Sequence, residues 1–557
     1  MDKENRKSLT SSIGDLTVFD LIIKNGTIID GTGRLRYQDD IGINGDKIES
    51  IGRLKDVQSN RCIDAENLII APGFIDMHSH SDMSMFNDPG GESKVFQGVT
   101  TEVTGNCSYS PFPISPTLGA NFGMSMLDFP TEWRWTDLDG WATQLESTGI
   151  SINIAPQLGQ AALQMASGAI EDRPATEDQM KEMQRLAIES IEQGAFSLST
   201  GLSLSPSSYM STEEIIKICQ SISQFEGVFY ATHARVGAGR HLLAIEEAIE
   251  IGLKGNIPVE FSHLAIGGQP DMGGWRNETV SPVGRGPDMM ELFENARESG
   301  LDITYDCYPY TAGQAGIDQA VPNWAQAGGI DAYMDRLLDS STREKIRDEV
   351  RAGIGGVKPM WNTWIISDVD SDANKSLVGR SIANIAVDRG VEPAEAALQL
   401  EYEERGEVSA VVHNRLERDV RFFLSHPLGM IGSDGNAISP TGKKSEEKLH
   451  PRFYGTYPRI LGKYVREESL LSLETAVSKM TSLPAKRLPL KNRGRLEEGL
   501  IADITIFNPD TIIDKATFED PHQLAIGMHY VLVAGNLVID NGKHTGASPG
   551  KVLRRNK

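Results

Sequence analysis

The chain has 557 residues, 39% hydrophobic and 24% charged, with a formal net charge of −23. That length exceeds one ordinary core and fits a barrel plus a smaller domain. The negative balance argues against a nucleic-acid or anionic-membrane partner. The four cysteines, Cys62, Cys107, Cys219 and Cys307, are sparse and irregular, so no disulfide framework is expected.

Residues 1–17 are polar and read as a loose tail with no secretory signal, and no apolar run suggests a membrane span, so a cytoplasmic protein is expected. Short apolar segments follow at Leu21–Ile23, Thr27–Ile29, Ile41–Ile43 and Ile48–Ile51, separated by Asn25-Gly26, Asp30-Gly31 and Asn44-Gly45-Asp46. Asn-Gly and Asp-Gly are hairpin signals. The C-terminus reads the same way, with Ile504–Phe507, Val531–Val533, an Ala534-Gly535-Asn536 turn and Leu537–Ile539. One small β-sandwich built from both ends, 18–72 with 496–557, is therefore expected.

Between them the pattern alternates apolar strands with helical stretches such as Thr176–Glu192 and Ser211–Gln224. Strand ends fall at Ile75–His80, Thr100–Cys107, Ile152–Gln157, Ala195–Thr200, Val228–His233, Val259–His263, Ile303–Tyr308 and Met430–Asp434. About eight βα units predict an α/β fold, a (β/α)8 TIM-like barrel over 73–495, with functional groups where strands end. Two stretches break the rhythm. Pro113–Trp135 is aromatic and Met-rich, and about 311–364 reads as a partly helical, lid-like insertion.

The first strand ends in His78-x-His80. Alternate residues of a strand share a face, so both imidazoles aim at one point. The other strand ends add Cys107, His233, His263 and Asp434. Imidazoles, a thiolate and a carboxylate suit one or two divalent ions, and zinc takes all three donor types. Cys62, Cys219 and Cys307 read as small buried side chains; Asp434 is the only acid expected at the rim.

The stretches APGFIDMHSHSD, GVTTEVTGNCS, FSLSTGLS, THARV, FSHL, DCYPYTAG, IGSDG and HPRFYGTYPRILGKYVRE, taken in order, resemble the N-acyl-D-amino-acid deacylase (D-aminoacylase) family of the amidohydrolase superfamily. The resemblance implies a barrel with a small β-sandwich and zinc-dependent hydrolysis of a linear amide. It places Cys107, His233 and His263 on one tight zinc, and His78, His80 and Asp434 on a second, weaker divalent ion. It implies a carbonyl-polarising tyrosine at Tyr308 or Tyr310, and Arg452 on a substrate carboxylate. Asp434 is the expected acid–base group.

The chain departs from the family pattern at Ala265, where a lysine is usual, at Gly159-Gln160 and Gln164 in place of a Gly-His and an arginine, and at Leu204 in place of a tyrosine. It has extra residues at Gln269–Arg285 and between Asp434 and Arg452. Arg235 reads as a salt-bridge partner. A cyclic-amide hydrolase of dihydroorotase or hydantoinase type is the competing enzyme reading, although Ala195–Pro206 lacks the strand-four lysine those enzymes use. A catalytically silent scaffold on the same fold is the competing non-enzyme reading.

Overall fold

The computed structural model describes residues 18–114, 134–235, 241–266, 286–353 and 358–555. The N-terminal tail, most of the Pro113–Trp135 stretch and the Gln269–Arg285 extra segment lie outside them.

Eight parallel strands carry the middle of the chain: β1 (Phe74–Asp76), β2 (Val99–Thr104), β3 (Asn153–Pro156), β4 (Ser197–Gly201), β5 (Phe229–His233), β6 (Val259–Phe261), β7 (Ile303–Cys307) and β8 (Gly429–Ile431). The first three form one sheet; the other five, led by Leu158–Gly159 directly after β3, form another. At the far edge, β8 returns to β1. Met77 N–H donates to Ile431 O at 3.1 Å, Asp434 N–H to His78 O at 2.7 Å, and Ser79 bridges Gly435 in parallel.

The strands are buried on both faces, as covered parallel strands are. Ile75, Met77, Val103, Ala155, Phe196, Phe229 and Met430 form one buried cluster. Phe74, Ile154, Leu198, Tyr230 and Tyr305 join the helix-facing cluster with Trp141, Met183, Ile218, Ile245 and Phe293. Helix starts follow local capping chemistry. Thr176 caps Glu177–Glu192 and Ser211 caps Thr212–Ile222, each in a reciprocal box with the residue three further on, Gln179 and Glu214.

The two chain ends meet in β-structure. Phe19–Lys24 sits in a four-stranded sheet with Asp40–Asn44, Lys47–Gly52 and Ser59–Asp64. Ile69–Pro72 pairs antiparallel with Ile504–Phe507, in a seven-stranded sheet that also holds Met528–Val533 and Asn536–Asp540. Leu21, Ile23, Ile41, Ile43, Ile70, Ile504, Ile506 and Leu532 share one core. The turn before Asn536 has φ of 46° at Ala534 and 76° at Gly535, the double positive φ of a twisted hairpin. Beyond it the chain leaves these sheets: Leu553 N–H donates to Ile154 O, and the Arg555 guanidinium donates to the carbonyls of Ala195, Glu226 and Ile191.

Two expectations change. Cys62 is exposed, because Ser59–Asp64 is an edge strand bonded only to Phe19–Lys24. The unit between β7 and β8 does not stop at residue 364. Trp364–Val369 is a strand, and Val408–Val412 pairs antiparallel with both it and Gly313–Gly316. Helices Ile330–Leu338, Ser340–Ala352, Ile382–Arg389 and Pro393–Glu403 complete it, around cores of its own. Its sheet partners are about a hundred residues apart in sequence, beyond the reach of any local pattern.

Among the described residues no helix is long and apolar enough to cross a membrane.

Candidate metal centre

The strand ends bring side chains separated by hundreds of residues to one place. Cys107 Sγ lies 3.3 Å from His78 Nε2 and 3.4 Å from His263 Nε2. Asp434 Oδ1 lies 3.1 Å from His80 Nε2 and 3.6 Å from His78 Nε2. Two donor groups thus form, His78–Cys107–His263 and His78–His80–Asp434, each with its donor atoms within 4.8 Å of one another. Cys107, His263 and Asp434 adopt left-handed backbone, with φ of 52°, 37° and 54°. Side-chain-bearing residues rarely take this conformation, which costs on the order of 1–3 kcal/mol each. Here it turns each side chain inward where its strand ends.

His233 reaches the cluster with its ring, 4.6 Å from that of His263 between centroids, but its Nε2 sits 2.6 Å from Ser203 Oγ. It therefore falls outside both close donor groups, and His78 takes its place beside Cys107 and His263.

A second carboxylate adjoins the cluster, so Asp434 is not alone. Asp306, buried at the end of β7, accepts from His263 N–H at 3.0 Å and lies 3.4 Å from His78 Nδ1. A carboxylate on the far nitrogen of an imidazole fixes its orientation and leaves the other nitrogen for a metal. Position two before Tyr308 was the only sequence signal for it, since alternate strand residues share a face.

Below the donors a buried cation ties β8 to β1. Lys94 Nζ donates to Asp76 Oδ2 at 2.9 Å, Ser433 Oγ at 2.6 Å and Gly435 O at 3.1 Å, and lies 2.9 Å from Glu102 Oε1. Ser433 in turn donates its N–H to Asp76 at 2.7 Å. This network sets the backbone just before Asp434.

Burial controls the protonation states. It pulls His78 and His263 down from 6.5 to about 3, against the attraction of Asp434, so both are neutral lone-pair donors in ordinary buffers. Burial, with Asp434 and Asp306, pushes the Cys107 thiol well up. A dication reverses that preference by binding the thiolate. Burial also pushes Asp434 up, but the Arg452 guanidinium and His80 outweigh it and hold the carboxyl well below its usual range.

Arg452 begins the helix Arg452–Arg459. Its Nη1 lies 2.7 Å from Asp434 Oδ2, and its guanidinium stands 4.8 Å from the Tyr308 ring centroid. The two candidate tyrosines part company. Tyr308 lies between Arg452 and Arg415, the latter 4.5 Å from its ring. Tyr310 turns away, under Arg459 and against Phe518, with its hydroxyl 3.4 Å from Pro451 O.

The departures from the family pattern have structural uses. Gln160 Nε2 donates to Gln164 Oε1, and Gln164 Nε2 donates to the carbonyls of Ala169 and Pro206, so Gln164 braces backbone and Gln160 holds Gln164 in place. Leu204 is buried. Arg235 pairs with Glu247 at 3.2 Å and bonds the carbonyls of Ser208 and Met210, as a salt-bridge partner.

The family model described as "Amidohydrolase family" matches residues 61–136 and 426–539, which hold His78, His80, Cys107, Asp434 and Arg452. A D-aminoacylase from Alcaligenes xylosoxydans xylosoxydans is 34% identical over 547 residues, 98% of this chain and 99% of that protein. The chain belongs to the D-aminoacylase family of amidohydrolases. An N-acyl-D-aspartate deacylase from the same organism is 33% identical, covering 96% of this chain and 95% of its own. Among solved structures, N-acyl-D-glutamate deacylase from Bordetella bronchiseptica, in complex with zinc and a phosphonate mimic of the tetrahedral intermediate, superposes with a TM-score of 0.80. It is 28% identical, over 97% of this chain and all of that one. This member of the D-aminoacylase family thus has the mixed α/β amidohydrolase fold.

Proposed function

We propose that this chain is a zinc-dependent hydrolase that splits N-acyl-D-amino acids into a carboxylate and a free amine. The observation that carries the reading is the convergence of Cys107, His78, His263, His80 and Asp434 on one mouth, in a chain alignable end to end with D-aminoacylase. The donor set fits zinc: a thiol, neutral imidazoles and a carboxylate within bonding reach of common points. Cys107, His78 and His263 would hold the tight ion, with His233 joining by turning from Ser203; His80 and Asp434, with His78, would hold a weaker one. The cyclic-amide alternative has less support, because no lysine lies in Ala195–Pro206.

Zinc in such a site supplies Lewis acidity toward a carbonyl oxygen and toward water. The chain's own groups do the rest. Asp434, kept ionised by Arg452, accepts a proton from the attacking water and passes it to the nitrogen of the breaking C–N bond. A carboxyl of depressed pKa gives that proton up readily. Tyr308 is the tyrosine placed to donate its O–H to the carbonyl oxygen as negative charge grows there. Burial pushes its pKa up, so it keeps the proton it donates. Arg452, half committed to Asp434, has its Nε buried without a hydrogen-bond partner and so retains a donor for a substrate anion.

On this reading the eight parallel strands close as one (β/α)8 barrel over 73–495, with the composite β-sandwich at 18–72 and 496–557. The unit from about 311 onward is a rim piece placed as a lid would be.

Zinc-loaded protein assayed on paired N-acetyl and longer N-acyl D- and L-amino acids tests the proposal. Release of the D-amino acid, abolished by a chelator and restored by zinc, is expected. Zinc-loaded protein that cleaves none of the panel would overturn it.

A further inference from the structure

The charges around Tyr308 do not balance. Two guanidiniums face its ring, Arg452 at 4.8 Å and Arg415 at 4.5 Å. Arg452 pairs with Asp434 at 2.7 Å. Arg415 is half-buried and has no carboxylate partner among the described residues. A partly desolvated guanidinium without an anion is costly unless something else supplies the charge.

Arg415 comes from the inserted unit. It follows the strand Val408–Val412, whose Val412 is paired with Gly313, and its N–H donates to Thr311 O at 3.1 Å. The sheet of the insertion therefore delivers this arginine to the mouth of the barrel strands. Gly313 lets the backbone approach closely: a Cβ there would come within a tight 3.2 Å of Arg415 Nη2 and 3.5 Å of the Tyr308 hydroxyl.

We propose that Arg415 is a specificity-determining residue that binds the substrate's carboxylate beside Tyr308. The inference rests on the reading above, since an N-acyl amino acid with a neutral side chain carries one carboxylate, close to the scissile amide. Arg415 would share that anion with the spare Nε–H of Arg452, and its guanidinium offers two parallel N–H donors. The inserted unit then contributes to substrate choice as well as covering the rim.

The test uses N-methanesulfonyl-D-leucine and its carboxamide, whose sulfonamide bond resists hydrolysis. Each is titrated calorimetrically into zinc-loaded wild type, Arg415→Gln, Arg415→Lys and Gly313→Ala. Wild type is expected to bind the acid at least about tenfold more tightly than the amide. Arg415→Gln should remove most of that preference and leave amide binding unchanged, Arg415→Lys should keep more of it than Arg415→Gln, and Gly313→Ala should weaken the acid alone. For hydrolysable N-acetyl-D-leucine, KM should rise about tenfold or more in Arg415→Gln, with kcat nearly unchanged. Equal weakening of acid and amide, or a preference undiminished in Arg415→Gln, overturns the inference. If Arg415→Gln does not fold, Gly313→Ala decides. Wild type that cleaves no N-acyl amino acid yet prefers the acid through Arg415 would sink the proposed reaction and leave the anion site standing. Cleavage with no dependence on Arg415 would do the reverse.

Discussion

Arg452 Nη1 lies 2.7 Å from Asp434 Oδ2, with the two side chains only 5% and 10% exposed. The pair links the helix that starts at Arg452 to the group just beyond the end of β8. A buried carboxylate left alone would take up a proton. With the guanidinium beside it, Asp434 stays ionised at neutral pH and can serve as a base.

Asp434→Asn keeps the shape and removes the proton acceptor. Turnover is expected to fall about 10²- to 10⁴-fold, with the tight zinc retained, since Cys107, His78 and His263 are untouched. Metal analysis beside kcat measurement checks this. A zinc-loaded, folded variant with unchanged kcat would remove Asp434 from the chemistry.

The two tyrosines should separate cleanly. Tyr308→Phe deletes the hydroxyl between the two arginines and should lower kcat about 10²-fold or more if it polarises the carbonyl. Tyr310→Phe deletes only a long contact to Pro451 O, and its kcat should stay within a few-fold of wild type. The reverse ranking would move the role to Tyr310.

Acid sensitivity should be visible in metal-stripped protein. His78 and His263 titrate near pH 3 when folded, and near 6.5 when unfolded. Between those values the unfolded chain holds more protons, so stability falls as pH falls, by about 1.4 kcal/mol per pH unit for each group. Buried carboxyls such as Asp82, raised to about 7 chiefly by burial, slope the other way. The comparison is therefore between wild type and His263→Gln, by denaturant midpoints from pH 6.5 to 4. The variant should lose one histidine's share of the slope. Identical slopes would show that His263 is not held neutral by the fold.

What the sequence determined is local. The period of two in Met77-His78-Ser79-His80 aims both imidazoles to one side, and alternating strand and helix patterns mark where the other donors end their strands. Capping residues such as Thr176 and Ser211 mark the helix starts within a residue. The ordered set of motifs points to the family. Tertiary structure alone decided which donors meet. Cys107 and His263 are 156 residues apart, and their contact depends on β2 and β6 lying across one mouth. Only the fold turned His233 toward Ser203, placed Asp306 behind His78, and extended the insertion to Val412 so that Arg415 reaches Tyr308. Side-chain direction along a strand is a property of neighbouring residues and is written in their order. Proximity between strand ends is a property of how the strands are arranged around one another, which no short stretch of sequence contains.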